Sequence, residues 1–293
     1  MKNLQGSMTA LITPFRDGAV DEPAFVRLIE RQLAAGTHAI VPVGTTGESA
    51  TVSHEEHRRL ISVAVETAAG RSTVIAGAGS NSTVEAIEIA QFAEKAGADA
   101  LLTVTGYYNK PTQAGLIAHF TALHDATGLP IILYNVPGRT VANLSVETIA
   151  ALSKLPRIVG VKDATGDLAR VALQRLACAP DFTQLSGEDM TAVGFNAMGG
   201  KGCISVTSNV VPELCAQMQN ASIAGDYQSA LAIQDRLAPL HDVLFAETSP
   251  GPVKYALSLM GLCSEELRLP LVAPGDATKA RIKSVLARLG LLD

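Results

Sequence analysis

Short apolar runs rich in β-branched residues alternate with longer amphipathic stretches eight times in succession. This alternation constrains the fold more than any other feature of the chain. Strand–helix units in series demand a parallel sheet covered by helices, and eight of them suit a sheet closed on itself. The expected strands are residues 8–13, 39–43, 74–76, 100–105, 131–135, 158–164, 183–186 and 202–206. Between them, Asp21 opens a helix that Gly36 closes, Ser53 with Glu56 forms a capping box, and Ser145 caps another helix. Further helices are expected over 83–96, 113–126, 168–178, 192–198 and 212–218. Strand signals then stop, and helical patterns follow at 227–245, 253–260 and 277–289. The reading is an α/β chain: a (β/α)8 TIM barrel over 1–223 with a C-terminal helical extension over 224–293. A doubly wound open sheet is the alternative. No Gly-rich dinucleotide fingerprint follows the first strand to support it.

Of the 293 residues, 47% are hydrophobic and 17% charged, enough for a large core. A net charge of -5 with scattered Lys and Arg argues against nucleic acid as a partner. No apolar run is long enough to cross a bilayer, and Met1-Lys2-Asn3-Leu4-Gln5 lacks the core of a secretory signal. The four cysteines, Cys178, Cys203, Cys215 and Cys263, have no CxxC spacing, and the six histidines are dispersed. A reducing cytoplasm and no metal site are the expectation.

Chemistry in such a barrel sits where the strands end. The sixth apolar run, Ile158-Val159-Gly160-Val161-Lys162-Asp163-Ala164, ends on a lysine. Burial disfavours the ammonium form and leaves a neutral amine, which can condense with a ketone to an imine. The alternative is a lysine whose head reaches solvent from a strand end. Strand alternation puts Ile132 and Tyr134 on one face, and Gly160 and Lys162 on one face. If both faces point inward, a phenol and an amine converge at the barrel mouth. The second strand runs into Gly44-Thr45-Thr46-Gly47-Glu48, where glycines let backbone N–H groups approach an anion and two hydroxyls add donors. A carboxylate is the fitting guest, although Gly and Thr are also ordinary in such turns. Arg139 could hold a second carboxylate in bidentate fashion, or be a solvated loop residue.

Three blocks carry a resemblance that covers nearly the whole chain: Gly44-Thr45-Thr46-Gly47-Glu48, Tyr134-Asn135-Val136-Pro137-Gly138-Arg139-Thr140, and Gly160-Val161-Lys162-Asp163-Ala164. Together they resemble the lysine-dependent pyruvate aldolases and lyases, the dihydrodipicolinate synthase / N-acetylneuraminate lyase family. Paired Thr45-Thr46, Arg139 and the Thr105-Gly106-Tyr107-Tyr108-Asn109-Lys110-Pro111 loop look most like its synthase branch. The resemblance implies a Schiff base between Lys162 and pyruvate, with Tyr134 as proton donor and acceptor. Thr45 and Tyr108 would complete a proton relay, Tyr108 reaching into a neighbouring subunit. Thr46 and Ile204 would hold pyruvate with Gly187 nearby, and Arg139 would receive the carboxylate of L-aspartate 4-semialdehyde.

The implied reaction condenses those two substrates to 4-hydroxy-tetrahydrodipicolinate, on the route to diaminopimelate and lysine, in a homotetrameric dimer of dimers. The imine acts as electron sink, so no cofactor is implied. Ser49, Ala50, His54, His57, Asn81, Glu85 and Tyr107 match positions lining the L-lysine feedback site of inhibitable members. His54 and His57, three apart on a helix, are expected to share a face. Asp163 departs from the pattern, since many members carry Glu there. Competing functions are another pyruvate-dependent Schiff-base aldolase or lyase, of the N-acetylneuraminate or 4-hydroxy-2-oxoglutarate type, and a non-catalytic barrel that senses an amino acid.

Overall fold

The computed structural model describes residues 4–292; Met1, Lys2 and Asn3, read above for a secretory signal, and Asp293 lie outside the described residues. Eight parallel strands close into a barrel: β1 (Gly6–Ala10), β2 (Ala39–Val41), β3 (Thr73–Gly77), β4 (Ala100–Val104), β5 (Ile131–Asn135), β6 (Ile158–Asp163), β7 (Thr183–Ser186) and β8 (Gly202–Ser205). Each strand pairs with its neighbours in sequence, and β1 closes the ring against β8. Helices α1 (Glu22–Ala34), α2 (His54–Ala68), α3 (Thr83–Ala96), α4 (Gln113–Ala126), α5 (Val146–Leu152), α6 (Ala169–Ala177), α7 (Ala192–Ala197) and α8 (Pro212–Ile223) follow the strands in turn. The N-caps form as expected. Asp21 accepts from Ala24 N, Ser145 accepts from Thr148 N, and Ser53 with Glu56 makes a reciprocal capping box.

Boundaries differ where backbone geometry intervenes. The expected second strand was 39–43, but it stops at Val41 because Pro42 has no amide to donate and Val43 takes φ +52°. The backbone there runs so close to β3 that a Cβ on Gly77 would lie 2.3 Å from the Val43 carbonyl oxygen. The first strand starts at Gly6, not Met8, pairing with Gly202; a Cβ on Gly202 would lie 2.3 Å from Gly6 O. Helix α8 continues to Ile223, five residues past the expected end at Met218. A short antiparallel hairpin, Phe15–Arg16 with Ala19–Val20, was not expected.

Two apolar layers divide the side chains. Met8, Val41, Ile75, Leu102, Ile132, Tyr134, Leu185 and Ile204 fill the barrel interior. Ile40, Val74, Leu101, Leu133 and Val161 face outward into the helix layer. In β6 the alternation breaks once. Ile158 and Val161 both belong to the outer cluster although an even number of residues separates them. The pairing explains this: Ile131 opposes Ile158, yet Ile132 opposes Gly160, so one residue is bulged out between them. Without that bulge every later side chain of β6 would face the other way. Beyond it, Lys162 stands beside Tyr134 in register and shares its inward face.

The last helices are α9 (Tyr227–Leu244), α10 (Gly251–Leu259) and α11 (Asp276–Arg288). Leu237, Leu240, Val253, Leu257, Ile282 and Leu286 on them join the outer cluster, so they share its core. A second tie is polar. Arg268 donates to both carboxylate oxygens of Glu56, at 2.7 and 2.6 Å. Those bonds and the capping-box contacts with Ser53 pull the Glu56 pKa from the ordinary 4.5 to about 2. A carboxyl held below its unfolded value stabilises the fold fully above about pH 4.5, and that stability is lost as pH falls towards 2. After solvent screening the contribution is about 1–2 kcal/mol. Urea unfolding of wild type and Glu56→Gln across pH should therefore give curves that differ at neutral pH and converge in acid. A gap that does not change with pH would show that Arg268 does not hold the carboxylate.

Candidate active site

Lys162 closes the inner face of β6 and is only 6% exposed. Its Nζ lies 4.2 Å from the centroid of the Tyr134 ring, itself 7% exposed. The amine and the phenol expected to converge do so, inside the barrel. Ile204, on the inner face of β8, is fully buried in the same interior cluster. Gly187 follows β7 and donates its N–H to Asp163 O at 2.8 Å. A Cβ on Gly187 would lie 2.6 Å from Ala164 Cβ and 3.0 Å from Lys162 Cε. Glycine at 187 is therefore what leaves room for the lysine stem.

The Gly44-Thr45-Thr46-Gly47-Glu48 segment forms a single 3-10 turn over Thr45–Gly47, ending at Glu48 with φ +54°. Gly47 N and Ser49 N both donate to Gly44 O. Thr13 Oγ1 donates to Gly47 O at 2.7 Å, and Thr46 is buried. Thr45 lines a cavity of about 300 Å³ together with Tyr107, Val136, Arg139 and Thr140. Val104 and Val136 line it too, and both pack in the interior cluster that holds Tyr134. Arg139 sits on a short helical turn, Pro137–Thr140, at the exposed rim, and donates to Ser249 O at 3.5 Å.

Tyr108, expected to act in a neighbouring subunit, stands apart from the site of its own chain. It has φ +70° and is 91% exposed, pointing away from the rest of its own chain. Tyr107 beside it is half-buried at the cavity.

The residues matched to a feedback site divide. His54 pairs with Glu85 at 3.3 Å, Asn81 Nδ2 donates to Tyr107 O at 3.3 Å, and Ser49 and Ala50 line the cavity beside Tyr107. His54 and His57, expected to share a face of α2, differ in exposure. His54 is exposed, whereas His57 is buried with Nε2 bonded to Gly77 O at 2.7 Å. Burial pushes the His57 pKa down, the Gly77 carbonyl opposing. Ser80, which the sequence did not single out, bonds to Glu85.

Other contacts near the site were not foreseen. Asp163 points outward, opposite to Lys162, and its two oxygens accept from Thr165, Arg170 and Gln174. Glu188 follows Gly187. Burial and the neighbouring Asp189 raise its pKa, and Lys162 and Arg139 act against them. Asp189 is buried and accepts from Ser205 Oγ, Val206 N and Thr207 N, fixing the end of β8 next to Ile204. Two acids directly after the glycine that follows β7 were the available signal. Among the described residues no group of three or more His, Cys, Asp or Glu is placed to hold a metal, and no helix is long and apolar enough to cross a membrane.

The model of the Dihydrodipicolinate synthetase family matches residues 3–289. The 4-hydroxy-tetrahydrodipicolinate synthase of Parvibaculum lavamentivorans is 59% identical over 289 residues, covering 99% of each chain. Among solved structures, the dihydrodipicolinate synthase of Acinetobacter baumannii, complexed with pyruvate, superposes with a TM-score of 0.97 at 44% identity, covering 99% of this chain and all of that one. The enzyme of Cyanidioschyzon merolae, with lysine bound, has a TM-score of 0.95 at 38% identity, covering 98% and 99%. A family match over nearly the full length, on a closed barrel with the lysine and tyrosine side by side inside it, places this chain in the dihydrodipicolinate synthetase family.

Proposed function

We propose that this protein condenses pyruvate with L-aspartate 4-semialdehyde to 4-hydroxy-tetrahydrodipicolinate, through an imine on Lys162. The observation that carries the reading is the Lys162 amine, buried in the barrel 4.2 Å from the Tyr134 ring centroid. The amine attacks the pyruvate ketone, and loss of water gives the imine. The imine draws electrons from the adjacent methyl group, which gives up a proton and becomes an enamine. The enamine carbon adds to the semialdehyde's carbonyl. The amine of that substrate then attacks the imine carbon, closes the ring and releases Lys162. No metal or organic cofactor is needed, since the imine itself stabilises the carbanion.

Each proton transfer needs a donor or acceptor within reach, and such groups contribute typically a hundredfold or more. Tyr134 is assigned that role at the imine, with Thr45 next in the relay. Tyr108 is assigned the third place, supplied by a neighbouring copy of the chain, which accords with its exposure in its own chain. Thr46, Gly187 and the backbone at Ile204 are assigned to pyruvate. The assembly is a homotetramer and the location cytoplasmic on this reading. L-Lysine is the inhibitor assigned to Ser49, Ala50, His54, Asn81, Glu85 and Tyr107, with His57 behind them as a buried support. Of these, Ser49, Ala50 and Tyr107 share a cavity with Thr45, so an occupant that reached them would stand next to the relay.

Borohydride reduction in the presence of pyruvate, followed by peptide mass spectrometry, tests the reading: the adduct belongs on Lys162. Its absence would favour the sensing barrel. Coupled assays with the semialdehyde then distinguish the synthase from other pyruvate lyases. Arg139, at the cavity rim, is assigned the semialdehyde carboxylate. Arg139→Ala should raise the KM for that substrate by about 10- to 100-fold, as expected for loss of a charged hydrogen bond. Pyruvate trapping on Lys162 should be unchanged. Equal damage to both would remove Arg139 from this role.

A further inference from the structure

The turn that carries Thr45 and Thr46 is anchored by a residue more than two hundred positions away. Lys254, on α10, donates to Glu48 Oε1 at 2.6 Å, and both side chains are fully buried. The second oxygen, Oε2, accepts from Arg268 N at 3.1 Å. Phe15 lies against both cations: Lys254 Nζ is 4.2 Å and the Arg268 guanidinium carbon 4.3 Å from its centroid. Burial pushes the Lys254 pKa down, and Glu48 acts against it.

A buried pair of this kind is an ineffective way to add stability. Desolvating two charges offsets most of their attraction, and apolar side chains of the same volume often serve as well. Its distinctive property is direction: a short charged hydrogen bond fixes where both partners sit. Glu48 is the residue that ends the turn. It adopts a left-handed backbone at φ +54°, and its N–H donates to Thr45 O at 3.1 Å. Such a backbone is strained for a residue with a side chain and persists when its surroundings over-determine it. Ser249, two residues before α10 begins, meets Arg139. The same helical region thus contacts both sides of the cavity.

We propose that Lys254 is a positioning residue: acting through Glu48, it holds the Thr45–Thr46 turn in the geometry that receives the oxo acid. This rests on the Schiff-base reading of Lys162. The test is the charge-free pair Glu48→Met/Lys254→Met, compared with wild type by thermal unfolding, steady-state kinetics and pyruvate trapping. A pair that served stability alone would leave the folded double variant as active as wild type.

Positioning predicts a Tm within a few degrees of wild type, with kcat/KM for pyruvate lower by about 10- to 100-fold, the penalty of misplacing a binding group by an ångström or less. Wild-type kcat/KM in a folded double variant would overturn the proposal. If that variant does not fold, the isosteric Glu48→Gln decides. It should lower kcat/KM for pyruvate at least about fivefold and speed amide exchange at Thr45 to Glu48 alone, and unchanged kinetics would overturn the proposal. Wild type that traps no pyruvate would instead remove the underlying Schiff-base reading, and the same trapping experiment reports it separately.

Discussion

Lys162→Met is expected to abolish the borohydride-trapped pyruvate adduct and to lower turnover by on the order of 10⁴-fold or more, the scale on which removing a covalent nucleophile acts. Methionine is the informative choice because the fold should survive it. Its unbranched side chain fills the channel the lysine stem occupies between Gly187 and Tyr134. Its sulfur can replace the amine's contact with the tyrosine ring by a favourable sulfur–aromatic one. The position is buried, and an uncharged side chain there carries no desolvation penalty. Tm should stay within a few degrees of wild type while activity disappears. Turnover within tenfold of wild type in this variant would show that the amine is not the nucleophile, and the assigned mechanism would fall with it.

What the sequence disclosed follows from how local each signal is. The capping box at Ser53 and Glu56 spans four residues and formed as expected. Helices α3 and α4 and strands β5 and β7 have the expected bounds, since their periodic patterns are bracketed by turn residues or caps. Lys162 was legible as a charge at the end of an apolar run. Alternation put Gly160 and Lys162 on one face and left open whether that face points inward. The bulge that sets that parity relative to Ile158 is a property of pairing with β5 and has no mark in the sequence of β6. The same limit hid Lys254, whose partner is 206 positions away. On an amphipathic helix a lysine reads as solvent-facing, and only the packing of α10 against the Gly44-Thr45-Thr46-Gly47-Glu48 turn makes it a buried cation. The different burial of the two histidines of α2 was hidden for a related reason. Helical spacing gave them nearby directions, but the β3 carbonyl at Gly77 waits under one of them only.

Asp163 is the neighbour of Lys162 in the chain and its opposite in consequence. Its carboxylate faces the helix layer, where Oδ1 accepts from Thr165 N and Oγ1 at 2.9 and 2.6 Å, and Oδ2 accepts from Arg170 Nε and Gln174 Nε2 at 3.0 and 3.1 Å. Arg170 also donates to Leu144 O at 2.7 Å, so this carboxylate links β6, the loop after it, α6 and the segment that leads into α5. Both partners are well covered, the aspartate side chain 3% and the arginine 12% exposed. Asp163→Ala therefore strands a largely buried guanidinium and a buried amide, which costs about 3–5 kcal/mol. For a chain of this size that corresponds to a Tm roughly 10 °C lower. The pyruvate adduct on Lys162 should still form in the folded variant at low temperature, because the side chain removed lies on the other face of the strand. Asp163→Asn keeps the shape and one acceptor and should lose about half as much stability. Calorimetry and trapping on the same samples separate the two faces of β6. A variant with unchanged Tm that no longer traps pyruvate would reverse the assignment and make Asp163 part of the chemistry.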